Sequence, residues 1–182
     1  MCQHLAQAGA NVILADTRYR FVSRARLEGL EVHHGDVLEE AAMELPMESV
    51  SWVFAATDED AYNSLVCLRF GPELGREQVL QLTTTVGEGG KEAALHMMGR
   101  NPWGEEVTHR EITSRFWRGA MFKTTTISDT FPWEDLKANH PGSMFLFCVI
   151  GSRLQVLTSN QVPPNGAKVI FLAAPAAVTT TT

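Results

Sequence analysis

The sequence predicts an α/β protein: a parallel sheet built with alternating helices, followed by a smaller α+β lobe. Four apolar runs, NVILAD (11–16), LEVHH (30–34), SVSWVFAAT (49–57) and QVLQL (78–82), alternate with helical stretches of about ten residues, the spacing of βαβ units. Glycine or an acid stops each of the first two runs, at Asp16 and at Gly35-Asp36. From about residue 109 the pattern changes to successive strands punctuated by glycine and proline, without regular helical spacers.

Taken in order, CQHLAQAGA is the end of a helix, with Leu5 and Ala8 apolar at i, i+3 and Gly9 as its C-cap. Strand NVILAD follows, then a helix over 19–28 with Phe21, Val22, Ala25 and Leu27 among basic residues, stopped by Gly29. After LEVHH, the stretch VLEEAAMEL is helical by propensity and Pro46 lies just past its end. SVSWVFAAT is nearly all apolar, as a strand buried on both faces would be. Asp58 can N-cap a helix over 59–70. The first lobe is placed at 1–84, a glycine-rich connector at 85–108 and the second lobe at 109–182. In that second lobe an amphipathic segment precedes AMFKTTTI, a turn at FPWEDL, and strands MFLFCVI, RLQVLT and AKVIFLA; the tail PAAVTTTT is expected to fray.

Composition narrows the function classes. The chain has 182 residues and a net charge of −6, with no basic stripe to neutralise phosphates, which argues against nucleic acid. The longest apolar stretches, 144–150 and 169–178, are too short for a bilayer-spanning helix of about 20 residues, so no membrane insertion is expected. No signal-peptide pattern opens the chain. Cys2, Cys67 and Cys148 are widely spaced and read as reduced, buried thiols. The four tryptophans read as core or lobe-interface anchors.

In a doubly wound sheet the carboxyl ends of the strands share one edge, where ligands bind. That edge would gather Asp16 with Thr17, Gly35-Asp36 and Thr57-Asp58, acceptors suited to the hydroxyls and amino group of an adenosine. Asp16 reads either as a ribose acceptor or as a solvated strand-terminal acid capping the next helix. ATDEDAYN opens a helix whose free amides could hold an anion, opposed by its own three acids. Asn63, one turn in, could reach a ligand, or the stretch is an ordinary acidic helix start. His33 and His34 read as a solvated turn pair, because no third metal ligand lies at a suitable spacing. No nucleophile has a marked base and no G-x-S-x-G occurs, so neither a catalytic nor a metal site is expected.

Together, NVILADTR, ARLEGLEVHHGD, VFAATDEDAYN and FGPELGREQVLQL resemble the TrkA-N, or RCK N-terminal, domain, in the variant found in the cytosolic tails of NhaP-type sodium/proton antiporters. Asp16, Gly35-Asp36, Thr57, Asp58 with Asp60, and Asn63 fall on the motif positions. The close QVPPNGAKVIFLA resembles the smaller TrkA-C-like lobe. The resemblance implies a Rossmann-like sheet and a regulatory, non-enzymatic domain that binds NAD or an adenine nucleotide. It also implies a homodimer at the cytoplasmic side of the inner membrane, attached to a transmembrane antiporter domain of the same polypeptide. Alternatives are the corresponding domain of a potassium channel or uptake system, or a remnant NAD-dependent oxidoreductase with His109 or His140 as nominal catalytic residues. Met1 falls inside the first helix of this pattern. The first strand and its glycine-rich phosphate loop are therefore expected to be missing, and nucleotide binding by this chain to be weak or absent. Loss of that central strand predicts a dimer or a sheet repaired by another segment.

Overall fold

The computed structural model describes residues 1–39, 45–82, 99–104 and 107–174, grouped into two units, 12–110 and 1–11 with 111–182. The helix expected from VLEEAAMEL, most of the connector and the tail lie largely outside the described residues.

The unit 12–110 is Rossmann-like in its alternation. Strand β1 (Ile13–Asp16) leads to helix α2 (Tyr19–Leu27), strand β2 (Glu31–His34), strand β3 (Val53–Ala55), helix α3 (Asp60–Leu74) and strand β4 (Val79–Gln81). Helix α2 buries Val22 and Ala25 and leaves its arginines in solvent. Two parallel pairs form, β1 with β2 and β3 with β4, as separate two-stranded sheets. Each pair stands as a sheet of its own among the described residues. SVSWVFAAT yields a strand of only three residues, with Val53 and Phe54 half-buried instead of enclosed on both faces. Ala55, Val66, Cys67, Phe70 and Val79 make the core beneath β3, β4 and α3.

Helix α3 runs four residues past the expected end and takes in Pro72, which sits in its last turn, two residues before the helix closes at Leu74. A proline there lacks one amide but interrupts little further helix. The residue before the helix is Glu59, not Asp58, and no side chain caps the first turn. Thr57 supplies the local contact instead, its Oγ1 accepting the Glu59 amide at 3.2 Å.

In the other unit, strands β5 (Phe122–Thr126), β6 (Met144–Ile150), β7 (Arg153–Val156) and β8 (Lys168–Leu172) form an antiparallel sheet in the order β5-β8-β6-β7. Helix α4 (His109–Trp117) precedes the sheet. FPWEDL opens a helix, α5 (Trp133–Asn139), where a turn was expected; Pro132 flanks it and Glu134 and Asp135 complement the dipole of its first turn. Trp133 and Leu136 from α5 pack with Cys148, Val169 and Phe171 in the core. Trp117 lies in solvent at 87% exposure and anchors nothing within the unit's core.

Helix α1 (Cys2–Ala8) belongs to this unit and packs against β5 and β8. His4 Nδ1 is 3.1 Å from Thr124 Oγ1. Lys168 Nζ donates to the Ala8 carbonyl at 3.1 Å, placing a cation on the negative end of the helix. Gly9 ends α1 at φ 110°, a backbone conformation that favours glycine, and a side chain there would come 3.1 Å from the Gly151 carbonyl.

Candidate functional site

The expected residues collect at the carboxyl ends of β1, β2 and β3. The ladder carries them there: the Gly35 amide donates to the Asp16 carbonyl at 3.3 Å, and the Leu82 amide to the Ala55 carbonyl at 2.9 Å. The Thr17 carbonyl lies 3.2 Å from His34 Nε2, and the His34 ring meets Tyr19 edge-on.

Asp16 does not stand open as a ribose acceptor. Its Oδ1 accepts the Arg18 amide at 2.8 Å and Arg18 Nε at 3.1 Å, and its Oδ2 accepts Arg18 Nη2 at 3.2 Å. A carboxylate offers about four lone-pair sites; Arg18 takes three of them and leaves one, on Oδ2. Partial burial works to raise the Asp16 carboxyl, but the Arg18 hydrogen bonds and the charges of Arg18 and Arg20 outweigh it and hold the group below its ordinary value. Arg18 in turn senses the charge of Asp58.

Asp36 is likewise engaged. Its Oδ1 accepts the Tyr62 hydroxyl at 2.5 Å and the Leu38 amide at 2.9 Å. The Tyr62 bond, with the Leu38 amide behind it, holds the Asp36 carboxyl below its ordinary value, while burial and then Asp36 push the Tyr62 phenol up. The depressed carboxyl stabilises the fold above its unfolded pKa, and that contribution disappears as pH falls through the folded pKa. Replacing Tyr62 by Phe is therefore expected to flatten the loss of stability below about pH 4 relative to the parent chain. Denaturant melts across an acid pH series would check this, and parallel curves for the two proteins would contradict it.

Asn63 is fully buried. Its Oδ1 accepts the Thr57 amide at 3.0 Å and the Thr57 hydroxyl at 2.7 Å, and its Nδ2 donates to the carbonyls of Thr57 (3.0 Å) and Leu82 (3.1 Å). It ties the end of β3 to the chain leaving β4, so it shapes the edge without facing a ligand. Asp58 is exposed; the Asp60 carbonyl accepts Ser64 Oγ at 2.8 Å.

Three residues that the sequence did not single out matter here. Arg18 follows the strand-end acid at i+2, a spacing that could have signalled the ion pair. Tyr62 bonds to Asp36 across 26 positions, a pairing without local signature. Gln81, fully buried, accepts the Gly99 amide on Oε1 at 2.9 Å and donates Nε2 to Ser64 Oγ at 3.3 Å. Arg100 extends β4 on its other side, forming a parallel bridge with Leu80.

The described edge thus has parallel strand pairs, an acid at the end of β1, Gly-Asp after β2 and a Thr57–Asn63 lock after β3. Residues 1–85 match the TrkA-N domain. The α/β part of this chain thus has the TrkA-N type of Rossmann-like fold, and Asp16, Asp36, Thr57 and Asn63 all lie within the matched TrkA-N stretch. No curated protein matches the chain. Among solved structures the chain is similar to the RCK domain of GsuK, at 9% identity and a TM-score of 0.33, over 89% of this chain and 43% of that one. It spans less than half the length of that structure. No helix among the described residues is long and apolar enough to cross a membrane.

The geometry meets an NAD ribose only in part. A free diol needs open acceptors, and the TrkA-N edge presents Asp16 with one lone-pair site and Asp36 with its Oδ1 occupied. The strand-end edge is there; Arg18 and Tyr62 occupy part of its acceptor capacity.

Proposed function

We propose that this chain is a nucleotide-sensing regulatory domain, without enzymatic activity, that couples an adenine-nucleotide ligand to a sodium/proton antiporter. The observation that carries the reading is the TrkA-N match across the stretch that contains the whole strand-end edge. In this reading the transmembrane antiporter domain belongs to the same polypeptide, the domain pairs as a homodimer, and it works at the cytoplasmic face of the inner membrane. Asp16, Thr17, Gly35, Asp36, Thr57 and Asp58 form the ligand edge, and Asn63 holds the Thr57 turn in place. Burial pushes the Cys67 thiol up to about 11 and also raises Cys148, so neither is a ready nucleophile at neutral pH.

The test is ion flux in proteoliposomes carrying the transporter with this domain attached. Added nucleotide is expected to change sodium/proton exchange several-fold and leave potassium flux unaltered. Nucleotide-dependent potassium flux without sodium exchange would move the domain to a potassium channel or uptake system. Insensitivity of both fluxes would remove the regulatory reading.

A further inference from the structure

We propose that the turn from α4 into β5 is a peripheral membrane contact that docks on an anionic lipid surface. The proposal goes beyond the nucleotide reading above and needs neither a nucleotide nor a transporter to hold. Three large apolar side chains stand in solvent within six residues: Phe116 at 51% exposure, Trp117 at 87% and Met121 at 64%. Apolar residues exposed singly are ordinary, whereas a group of them marks a contact surface. Helix α4 buries none of its residues. The turn after it is tied down. The Gly119 amide donates to the Phe116 carbonyl and the Ala120 amide to the Arg115 carbonyl, both at 2.9 Å, with Gly119 at φ 89°. Past the turn, the Met121 carbonyl accepts the Ala173 amide at 3.0 Å, and the Phe116 and Phe122 rings lie 5.8 Å apart. The apolar side chains are therefore carried on a fixed helix-to-strand corner.

The charge along this stretch has one sign. Residues 112–128 hold Arg115, Arg118 and Lys123 and no acid, in a chain with 21 acids and a net charge of −6. Glu111, just before them, accepts Arg115 Nε at 2.7 Å and lies 3.5 Å from Arg118 Nη2, so one carboxylate faces two guanidinium groups. Arg118 is 59% exposed, and Lys123 is exposed as well. The corner keeps a surplus of positive charge beside its apolar side chains. Apolar rings flanked by lysine and arginine suit the bilayer interface, where the rings enter at headgroup depth and the cations meet anionic lipid. A tryptophan fits that depth because its ring is apolar and its indole N–H polar. Two other occupants fit less well. A second copy of this chain would bring the same cations towards one another. An acidic protein partner must supply a preformed pocket for each protruding side chain, whereas a lipid surface admits an indole, a phenyl ring and a thioether wherever they stand.

The experiment is flotation of the full chain with vesicles of phosphatidylcholine alone and with vesicles in which about one third of the lipid is phosphatidylglycerol, which supplies the negative surface. The mixed vesicles are expected to bind the chain about tenfold more tightly than the neutral ones, and to lose most of that gain when salt is raised to about 0.5 M. Trp117→Ala should remove most of the binding, and with it the blue shift of tryptophan emission on adding vesicles. Arg118→Gln and Lys123→Gln should each weaken binding to the mixed vesicles about fivefold, the equivalent of about 1 kcal/mol per cation. Leu27→Ser, at an equally exposed apolar residue of the other unit, should leave binding unchanged. Every substituted side chain is exposed, so the variants should fold, which circular dichroism verifies. Equal binding to the two kinds of vesicle would overturn the proposal, and so would a loss in Leu27→Ser as large as that in Trp117→Ala. Absence of vesicle binding would overturn it too. A dimer that Trp117→Ala dissociates, seen by sedimentation in a chain that does not bind vesicles, would give this face to a second copy.

Discussion

Gly99→Ala is expected to destabilise the unit 12–110 by about 1 to 3 kcal/mol, the range for overpacking a filled site. A Cβ at this position would lie 2.3 Å from Cys67 Sγ and 2.9 Å from Gln81 Cβ. Neither neighbour can retreat easily. Cys67 is buried against the Leu80 carbonyl, its Sγ 3.9 Å away, and Gln81 is fully buried and hydrogen-bonded to the Gly99 amide itself. Moving the backbone instead would strain the bridge by which Arg100 extends β4, with the Gln81 amide donating to the Arg100 carbonyl at 3.0 Å. Cys67→Ala removes the closest atom, so the double variant should recover part of the loss, with a coupling of about 0.5 kcal/mol or more. The Gln81 contact remains, so recovery stays incomplete. Denaturant melts of the two single variants and the double one decide it: strictly additive losses would mean that Gly99 and Cys67 do not share this space.

Asn63→Leu should cost still more, about 2 to 5 kcal/mol, because several groups lose partners at once and each buried orphan costs about 1 to 3 kcal/mol. The Thr57 amide and the buried Leu82 carbonyl are the principal losses. Asn63→Asp separates shape from hydrogen bonding. The introduced carboxylate can still accept from the Thr57 amide and hydroxyl, but it faces two carbonyls that the Asn63 amide donates to. Its folded pKa must therefore rise above the unfolded value, so the folded state binds the extra proton and the variant gains stability as pH falls. The protonated form can donate to one of those carbonyls again. A variant equally weakened at pH 5 and pH 8 would show that the Asn63 amide protons are not what holds the β3 and β4 ends together.

The parts of this fold that were legible in the sequence are those whose cause is local. NVILAD, LEVHH and QVLQL formed strands where their apolar runs lie, and Gly9 and Gly29 ended helices for conformational reasons that need no partner. The strands of the antiparallel sheet were equally plain in MFLFCVI and AKVIFLA. FPWEDL reads as a turn from the sequence and opens a helix in the structure. Yet the two acids after Trp133 were a helix-start signal in the same letters. The site was legible as a set of positions and not as chemistry. Asp16, Asp36 and Asn63 could be placed on the edge by strand spacing alone. That Asp16 is engaged by Arg18, Asp36 by Tyr62 and Asn63 by Thr57 and Leu82 depends on side-chain directions that spacing does not encode. The packing of α1 was beyond reach for another reason: a seven-residue helix that buries only Leu5 and Ala8 carries no label naming the sheet it covers.

That packing sets an order of events during synthesis. Helix α1 leaves the ribosome well before its partners: the Thr124 hydroxyl beside His4 comes 120 positions later and the lysine on its last carbonyl 160 positions later. At about 5 to 20 residues per second, the nascent helix waits roughly 8 to 32 s for the second of these to be made. Its apolar side, with Leu5 and Ala8, is uncovered throughout that interval. A seven-residue helix is marginal in water without packing, so this segment takes up its final conformation only after the strands that cover it are made. The antiparallel sheet is thus closed by a helix made long before any of its strands.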